Sequence, residues 1–471
     1  MSAALDPIRL RAKLAPRALA GGALALVVFA ALNVAIAALV VSGALDDQWY
    51  DFRDLGLGVQ QLREWLDGRT ADQPGWLTDV LRSTTWLSYI VTALLGATGI
   101  LSFVGGVLLV LIWVERRLIG RIQVRRGPNR VGPFGLLQPI ADAIKLIQKE
   151  TLIPVGADRF MFFLPPVLVF IPGLLVWAPI PWAPHMTYLD TNVGVLYLVA
   201  IGSLATLAIF MAGWSSNNHY ALLGAMRTVA MMISYEIPLA LSLLTVVVLT
   251  GTAQLSAIVE WQSVHNVWIG MLLPLTLFTF FFSSTAELNR TPNDIAEAES
   301  EIVAGFHTEY SGMKFGLFYA VELGNAVAVS ALVAALFLGG WSLFGLQEWV
   351  PPYLVFAAKV GAVYFVLVWL RGTLPRFRLD QLMAFAWKYL IPLALVQLAL
   401  VAVEAALLRR WEGEGVVAFG GFILVNGLFT VVAVRGWARF LGYAPEREPL
   451  LRPMLTTGVG GIEAADRMRT R

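Results

Sequence analysis

The chain has 471 residues, of which 58% are hydrophobic and only 14% charged, and its mean hydropathy is +0.71. That balance lies outside the range of soluble globular domains and predicts an all-α, multi-pass membrane protein built as one helical bundle. There is no cysteine, which excludes structural disulfides, thiolate nucleophiles and Cys-ligated zinc or iron–sulfur clusters in this chain. Any redox centre must therefore come from a partner. The net charge of +2 gives no sign of nucleic acid, and the placement of the charges matters more than their sum.

Crossing a ~30 Å hydrocarbon core takes about 18–25 apolar residues in a helix. Such runs are predicted near 18–42, 88–113, 159–180, 193–213 and 228–250, then near 267–285, 314–340, 353–371, 388–407 and 417–434. Ten spans put both termini on one side. The 18–42 run follows a basic segment but exceeds the about 7–15 apolar residues of a signal peptide, so it reads as an uncleaved anchor. Arg9, Arg11, Lys13 and Arg17 precede it, and Arg116, Arg117, Arg121, Arg125, Arg126 and Arg130 follow the second run. By the positive-inside rule both termini and that Arg-rich segment are cytoplasmic. The intervening segment holds Asp46, Asp47, Asp51, Asp54, Asp67, Asp72 and Asp79, and residues 181–192 hold no Lys or Arg, as external loops should. Later cytoplasmic stretches carry Arg371, Arg376 and Arg378, then Arg435, Arg439 and Arg447.

Residues 115–151 read ERRLIGRIQVRRGPNRVGPFGLLQPIADAIKLIQKET. Gly and Pro at 127, 128, 132, 133, 135 and 139 predict a turn-rich loop of defined shape. After Pro139 the pattern is amphipathic, with Leu136, Ile140, Ile144 and Ile147 on one face and Asp142 paired with Lys145 at i,i+3 on another. By composition alone this is an inside loop with an interfacial helix; its arginines also suit a docking surface for an acidic partner or an amphipathic ligand.

A second polar segment, 286–315, reads AELNRTPNDIAEAESEIVAGFHTEYSGMKF and carries Glu287, Asp294, Glu297, Glu299, Glu301 and Glu309. Acids do little to set orientation, so they need another reason. Thr291 before Pro292 and Asp294 predicts a helix N-terminus there. On that helix Asp294, Glu297 and Glu301 share one stripe while Glu299 points elsewhere. Solvated, the stripe costs little; enclosed, its carboxyls become proton exchangers near neutral pH.

Within the spans, Glu236 lies in ISYEIPLA with Arg227 at the cytoplasmic end of the same run, Glu287 ends the sixth span near Arg290, and Glu322 lies in YAVELGN. Intramembrane acids cost ~2.5–3.5 kcal/mol at the bilayer centre and are functional candidates, against the plainer alternatives of interhelical hydrogen bonds or snorkelling. Lys359 and Glu404 are also intramembrane and carry no motif. His185, His219, His265 and His307 show no metal-ligand spacing.

Two strings are specific: ERR followed by Q-x-R-x-GPNRVGP-x-GLLQP-x-AD-x-x-K, and D-x-x-E-x-E-x-E-x-VAG-x-H-x-EYSGMKF. Both resemble the signatures of the quinone-site membrane subunit family of respiratory complex I, the NADH-quinone oxidoreductase. The resemblance covers roughly residues 88–407, an eight-helix core, leaving 1–87 and 408–471 as an extra helix at each end. It implies that Glu115, Arg116, Arg125, Asp142, Arg290 and Asp294 border a quinone tunnel and the contact with a peripheral arm. It implies too that Arg227, Glu236, Glu287, Glu297, Glu299, Glu301, Glu309 and Glu322 belong to a proton or coupling path. Quinone would be the substrate, with FMN and iron–sulfur clusters on partner subunits and no cofactor on this chain, in a bacterial inner membrane. Asn293 stands where the family usually has Phe and Leu288 where it usually has Thr; the former leaves the packing against the tunnel wall open. The competing classes are a related membrane-bound hydrogenase subunit, an ion transporter and a passive anchor. Motifs concentrated at the cytoplasmic face speak against a transporter, and intramembrane carboxylates against an anchor.

Overall fold

In the computed structural model the described residues are 85–184, 186–295, 304–343, 350–411 and 416–440. The predicted first span, the external segment after it up to residue 84, the acids Glu297, Glu299 and Glu301, and the C-terminal tail lie outside them. The chain divides into two compact units, Met1–Asn426 and Gly427–Arg471.

All regular structure among the described residues is helical. Helix α1, Thr85–Ile122, carries the predicted second span but continues past its expected end. Arg116, Arg117 and Arg121 therefore sit on helix rather than loop. The reason is local: Leu, Ile, Arg and Glu are sound helix formers, and nothing breaks the run until Val124 turns left-handed at φ 55°. The turn-rich segment follows as expected. At its centre Gly135 has φ 77°, and a Cβ there would strike the Pro128 carbonyl, so only glycine fits. Helix α2, Gln138–Gln148, is the predicted amphipathic helix. Ile140 and Ile144 are half-buried, while Leu136 and Ile147 at the stripe's ends are exposed.

Helix α3, Arg159–Leu175, starts at Asp158, whose carboxylate accepts from the Phe160 and Met161 N–H groups. Helix α4, Gly194–Ser215, packs on it and on α5, His219–Thr250. Asn218 caps the start of α5, and Gly251 at φ 78° closes its end. Short α6, Leu255–His265, leads to a departure from expectation. The predicted span 267–285 is broken into α7, Ile269–Leu272, and α8, Pro274–Glu287. Pro274 offers no N–H and pushes Leu273 out of the helical region to ψ 63°. Helices α9, Met313–Phe337, and α10, Pro352–Thr373, follow. Then α11, Leu379–Phe385, passes through a π turn at Ala386–Leu390 into α12, Ile391–Trp411. Last is α13, Val416–Phe440.

Five of these stretches are long and apolar enough to cross a membrane: α4, α5, α9, α10 and the run Leu379–Leu407. The chain is thus a membrane protein, with five spans by this measure where ten were predicted from the whole sequence. Proline and early termination shorten α3 and α8, to 17 and 14 residues. Helix α9 is the central one, apolar on every side and 72% buried over its best window, against 33% for α4. Its Ala326, Ala331, Ala334 and Ala335 have no exposed surface, and such small side chains let neighbouring backbones approach.

Polar side chains tie the break beside α8 to this centre. Buried Gln262 donates to the Ala335 carbonyl at 2.9 Å and accepts from Ile269 N at 3.1 Å and Gly339 N at 3.0 Å. Lys359, unassigned by sequence, donates to the carbonyls of Leu338, Gly340 and Ser342 just past the end of α9. Gln262→Leu strands two buried N–H groups, each costing ~1–3 kcal/mol, and is expected to destabilise the fold by about 2–4 kcal/mol. Thermal unfolding of the detergent-solubilised protein measures this, and Gln262→Glu, which keeps the acceptor, should lose less.

Candidate functional site

At the inner end of α8 the chain reverses. Asn289 takes φ 51°, Asn289 N donates to the Ala286 carbonyl and Arg290 N to that of Thr285, so the Arg290 side chain is turned back under the bundle. It is 3% exposed. Its Nη1 donates to Glu115 Oε1 of α1 at 3.0 Å, and its Nε lies 3.4 Å from Glu322 Oε1 of α9. Glu115 also accepts from Tyr364 of α10 at 2.9 Å and pairs with Arg371 at the end of that helix. Burial alone would lower the Arg290 pKa; Glu115, then Glu322, outweigh it and hold the guanidinium above its ordinary value. Two carboxylates and two guanidiniums thus cancel in formal charge. Removing one member of such a set strands another, at ~3–5 kcal/mol.

On one side of this cluster opens a cavity of about 320 Å³. Ile112 and Ile119 give it an apolar wall, and Arg116, Asp294 and Tyr319 complete it beside Glu115 and Arg371. Asp294 accepts from Arg376 at 2.8 Å. The expected helix start at Pro292 is not found: residues 290–293 form a turn, with Asn293 N donating to the Arg290 carbonyl, and Asp294 and Ile295 are irregular, while the rest of the expected helix lies outside the described residues. Asn293 has no exposed surface, and its Nδ2 lies 3.4 Å from Thr285 Oγ1, so a polar contact within the protein occupies the position noted above as a departure from the family pattern. Arg116 donates to Asp142 of α2 at 2.6 Å, joined by Gln138 at 3.2 Å and, at 3.5 Å, the predicted partner Lys145. Partial burial would raise the Asp142 pKa, but Arg116 and Gln138 outweigh it and hold the carboxyl below its usual range. Arg125 is not in this cavity. It donates to Gln123, which does line it, and stands in a neighbouring pocket of about 310 Å³ with Arg117, Arg121, Arg126 and Phe134.

On the other side lie two smaller cavities within the bundle, of about 60 and 100 Å³. The first is lined by Glu322, Tyr319, His307 and Asn289, the second by Glu236 and Ser284, and both by Glu287 and Asn325. Helix α4 comes close at Gly202, where a Cβ would stand 3.2 Å from Glu287 Oε1. The structure therefore places Glu322 and Glu287 on one cavity and Glu287 and Glu236 on the next, with Glu287 lining both. It places Glu309 elsewhere, accepting from Asn218 at the start of α5 at 2.7 Å, and Arg227 half-buried nine residues before Glu236.

Sequence reading missed Tyr364, Asn325 and the roles of Arg371 and Arg376, which it counted only as orienting charges. The available signal was a cation at the end of an apolar span facing acids that need compensation. Tyr364 and Asn325 have no comparable signal, since a single polar residue in a span is common.

Residues 95–402 match the NADH dehydrogenase family, a stretch that includes every described residue of these cavities. Among curated relatives, the H subunit of NADH-quinone oxidoreductase from Dehalococcoides mccartyi (strain CBDB1) is 54% identical over 296 residues, 63% of this chain and 82% of the relative. The corresponding H subunits of Rickettsia canadensis (strain McKiel) and Rickettsia prowazekii (strain Madrid E) are 51% and 50% identical, each over 62% of this chain and 87% of the relative.

Arg290→Leu leaves Glu322 without its guanidinium and Glu115 with only Arg371 and Tyr364, and is expected to destabilise the protein by about 3–5 kcal/mol; Arg290→Lys should recover part of this in the same unfolding assay. The Asp142 pair carries a pH signature. Its native pKa is depressed, so its contribution is complete above the ordinary aspartate value of ~3.9 and fades as pH falls through the native value. Hydrogen exchange of the 138–148 segment should show this acid-side loosening, and Asp142→Asn should flatten it.

Proposed function

The chain belongs to the NADH dehydrogenase family and is a membrane subunit of NADH-quinone oxidoreductase, and on that premise we propose that it forms the membrane-side wall of the quinone site and the first stretch of the path coupling quinone reduction to proton movement. The observation that carries this reading is the cluster of buried Glu115 and Arg290 with partly buried Glu322 and Arg371, which lies against an open cavity at Glu115 and Arg371 and against an inner cavity at Glu322. A quinone ring has two carbonyl oxygens and flat apolar faces. Ile112 and Ile119 suit the faces, and Arg116 and Arg371 can donate to the oxygens. Asp142 and Asp294 hold Arg116 and Arg376 in place, and Arg125 flanks the entrance through Gln123.

Reduction adds two electrons and two protons to give the quinol. The chain has no cysteine, so the electrons come from centres on partner subunits, FMN and iron–sulfur clusters in this reading. Negative charge arising on the ring competes with Glu115 for Arg371. A unit charge ~4 Å away at an effective dielectric of ~20 is worth about 4 kcal/mol, roughly a thousandfold in a proton-binding equilibrium. Glu115 answers through Arg290 to Glu322, and from there the proposed path runs through Glu287 to Glu236. Glu297, Glu299 and Glu301 feed its outer end, with Arg227 and Glu309 at its flank. The Arg-rich face lies in the cytoplasm of a bacterial cell, where the positive-inside rule puts it.

The test is Glu236→Gln in native membranes. NADH-driven quinone reduction and proton movement should both fall by roughly tenfold or more, while NADH oxidation by a water-soluble artificial acceptor continues. Unchanged quinone reduction and proton movement would sink the coupling role.

A further inference from the structure

The two inner cavities share six lining residues, and four of them, Val169, Ala205, Met232 and Leu288, are apolar. Among the described lining residues that the two cavities share, only Glu287 and Asn325 have polar side chains that can connect the Glu322 side to the Glu236 side. Asn325 follows Glu322 by three residues on α9, so both side chains leave the helix on one stripe. Its Oδ1 is buried and accepts no hydrogen bond from any described protein group. A buried acceptor is costly unless something donates to it. The cavities meeting at Asn325, about 60 and 100 Å³, exceed the about 10–15 Å³ that one water needs.

We propose that Asn325 is a positioning residue that orients the water joining these two cavities, so that protons pass between Glu322 and Glu236 beside its carboxamide. The chemistry favours an amide in this role. It accepts at Oδ1 and donates at Nδ2 at once, which aligns waters on both sides. It also does not titrate, so it neither traps the proton nor adds a charge to a seam that already holds three carboxyl groups. Glu287 stands opposite and exchanges protons with the waters that Asn325 holds. An apolar residue of similar size in that place leaves a single polar group at the junction and breaks the file of water.

The proposal rests on the coupling path proposed above, and the experiment separates the two. Asn325→Thr and Asn325→Val have nearly the same shape and differ by a hydroxyl for a methyl. Both are made in the intact complex, reconstituted in liposomes beside Glu236→Gln, and read by NADH-driven quinone reduction, proton uptake and the solvent deuterium isotope effect. Asn325→Val is expected to lower turnover and proton uptake about tenfold and to raise the isotope effect, while Asn325→Thr stays within about threefold of the unmodified complex. Equal behaviour of the Thr and Val variants overturns the proposal, whether both are active or both are dead, because packing rather than hydrogen bonding is then what counts. If the Val variant does not assemble, the smaller pair Asn325→Ser and Asn325→Ala gives the same comparison. If Glu236→Gln is fully active, the path has failed and the Asn325 role with it; if Glu236→Gln is inactive while Thr and Val are equal, only the Asn325 role falls.

Discussion

Arg290 is the constraint on which the rest of the site depends. A guanidinium stays charged at any pH a protein meets, and this one is almost closed off from solvent. It therefore requires anions brought to it from separate parts of the chain. Glu115 comes because α1 runs on as helix beyond its apolar stretch, Glu322 because α9 is the central helix, and the turn at Asn289 delivers Arg290 itself. Once Glu115 is committed, Tyr364 and Arg371 on α10 complete its coordination. Four segments are thereby held in register by one buried charge. Such a set contributes little net stability over an apolar core of the same volume, so its presence calls for a use other than stability.

That use follows from what lies on either side. Towards the open cavity the carboxylates face cations: Glu115 with Arg290 and Arg371, Asp294 with Arg376, Asp142 with Arg116. Towards the inner cavities Glu287 and Glu236 face apolar walls, Ser284 and Asn325 instead. In the proposed function this asymmetry sets the direction of the response. Charge introduced on the open side perturbs pairs that are already ionic, and the acids beyond Arg290 take up the change by exchanging protons.

Much of the fold was legible because hydrophobic run length and helix signals are local. The amphipathic helix after the turn-rich loop was readable in this way, with Ile140 and Ile144 half-buried as expected and Leu136 and Ile147 exposed, whereas the capping roles of Asp158, Asn218 and Gly251 emerge only in the structure. The span predicted near 267–285 runs through Pro274, where the helix breaks, and the break depends on how the backbone groups of α7 are met by Gln262, 7 residues before Ile269. The acids of the site were legible as a set because carboxylates near apolar spans are conspicuous. Their partners were not. Glu115 meets Arg371 across 256 residues and Asp294 meets Arg376 across 82, separations at which sequence pattern carries no pairing information.

Burial of a charged group within an apolar span does not by itself mark the path, and two residues make the distinction. Lys359 is half-buried, but three carbonyls beyond α9 take its ammonium, which closes a helix end. Glu404 accepts from Asn426 at 2.8 Å, and Asn426 accepts in turn from Gln397 at 2.7 Å; amide bridges of this kind fix helix to helix in lipid. Neither residue lines the inner cavities, and Glu404 lies beyond the matched stretch. Glu236, Glu287 and Glu322 differ in that each lines a cavity large enough for water and at least one neighbouring cavity wall is shared with another carboxyl. For the proposed path the distinguishing feature is therefore a place on one of two water-sized cavities that Glu287 links, since hydrophobic burial alone selects too many residues.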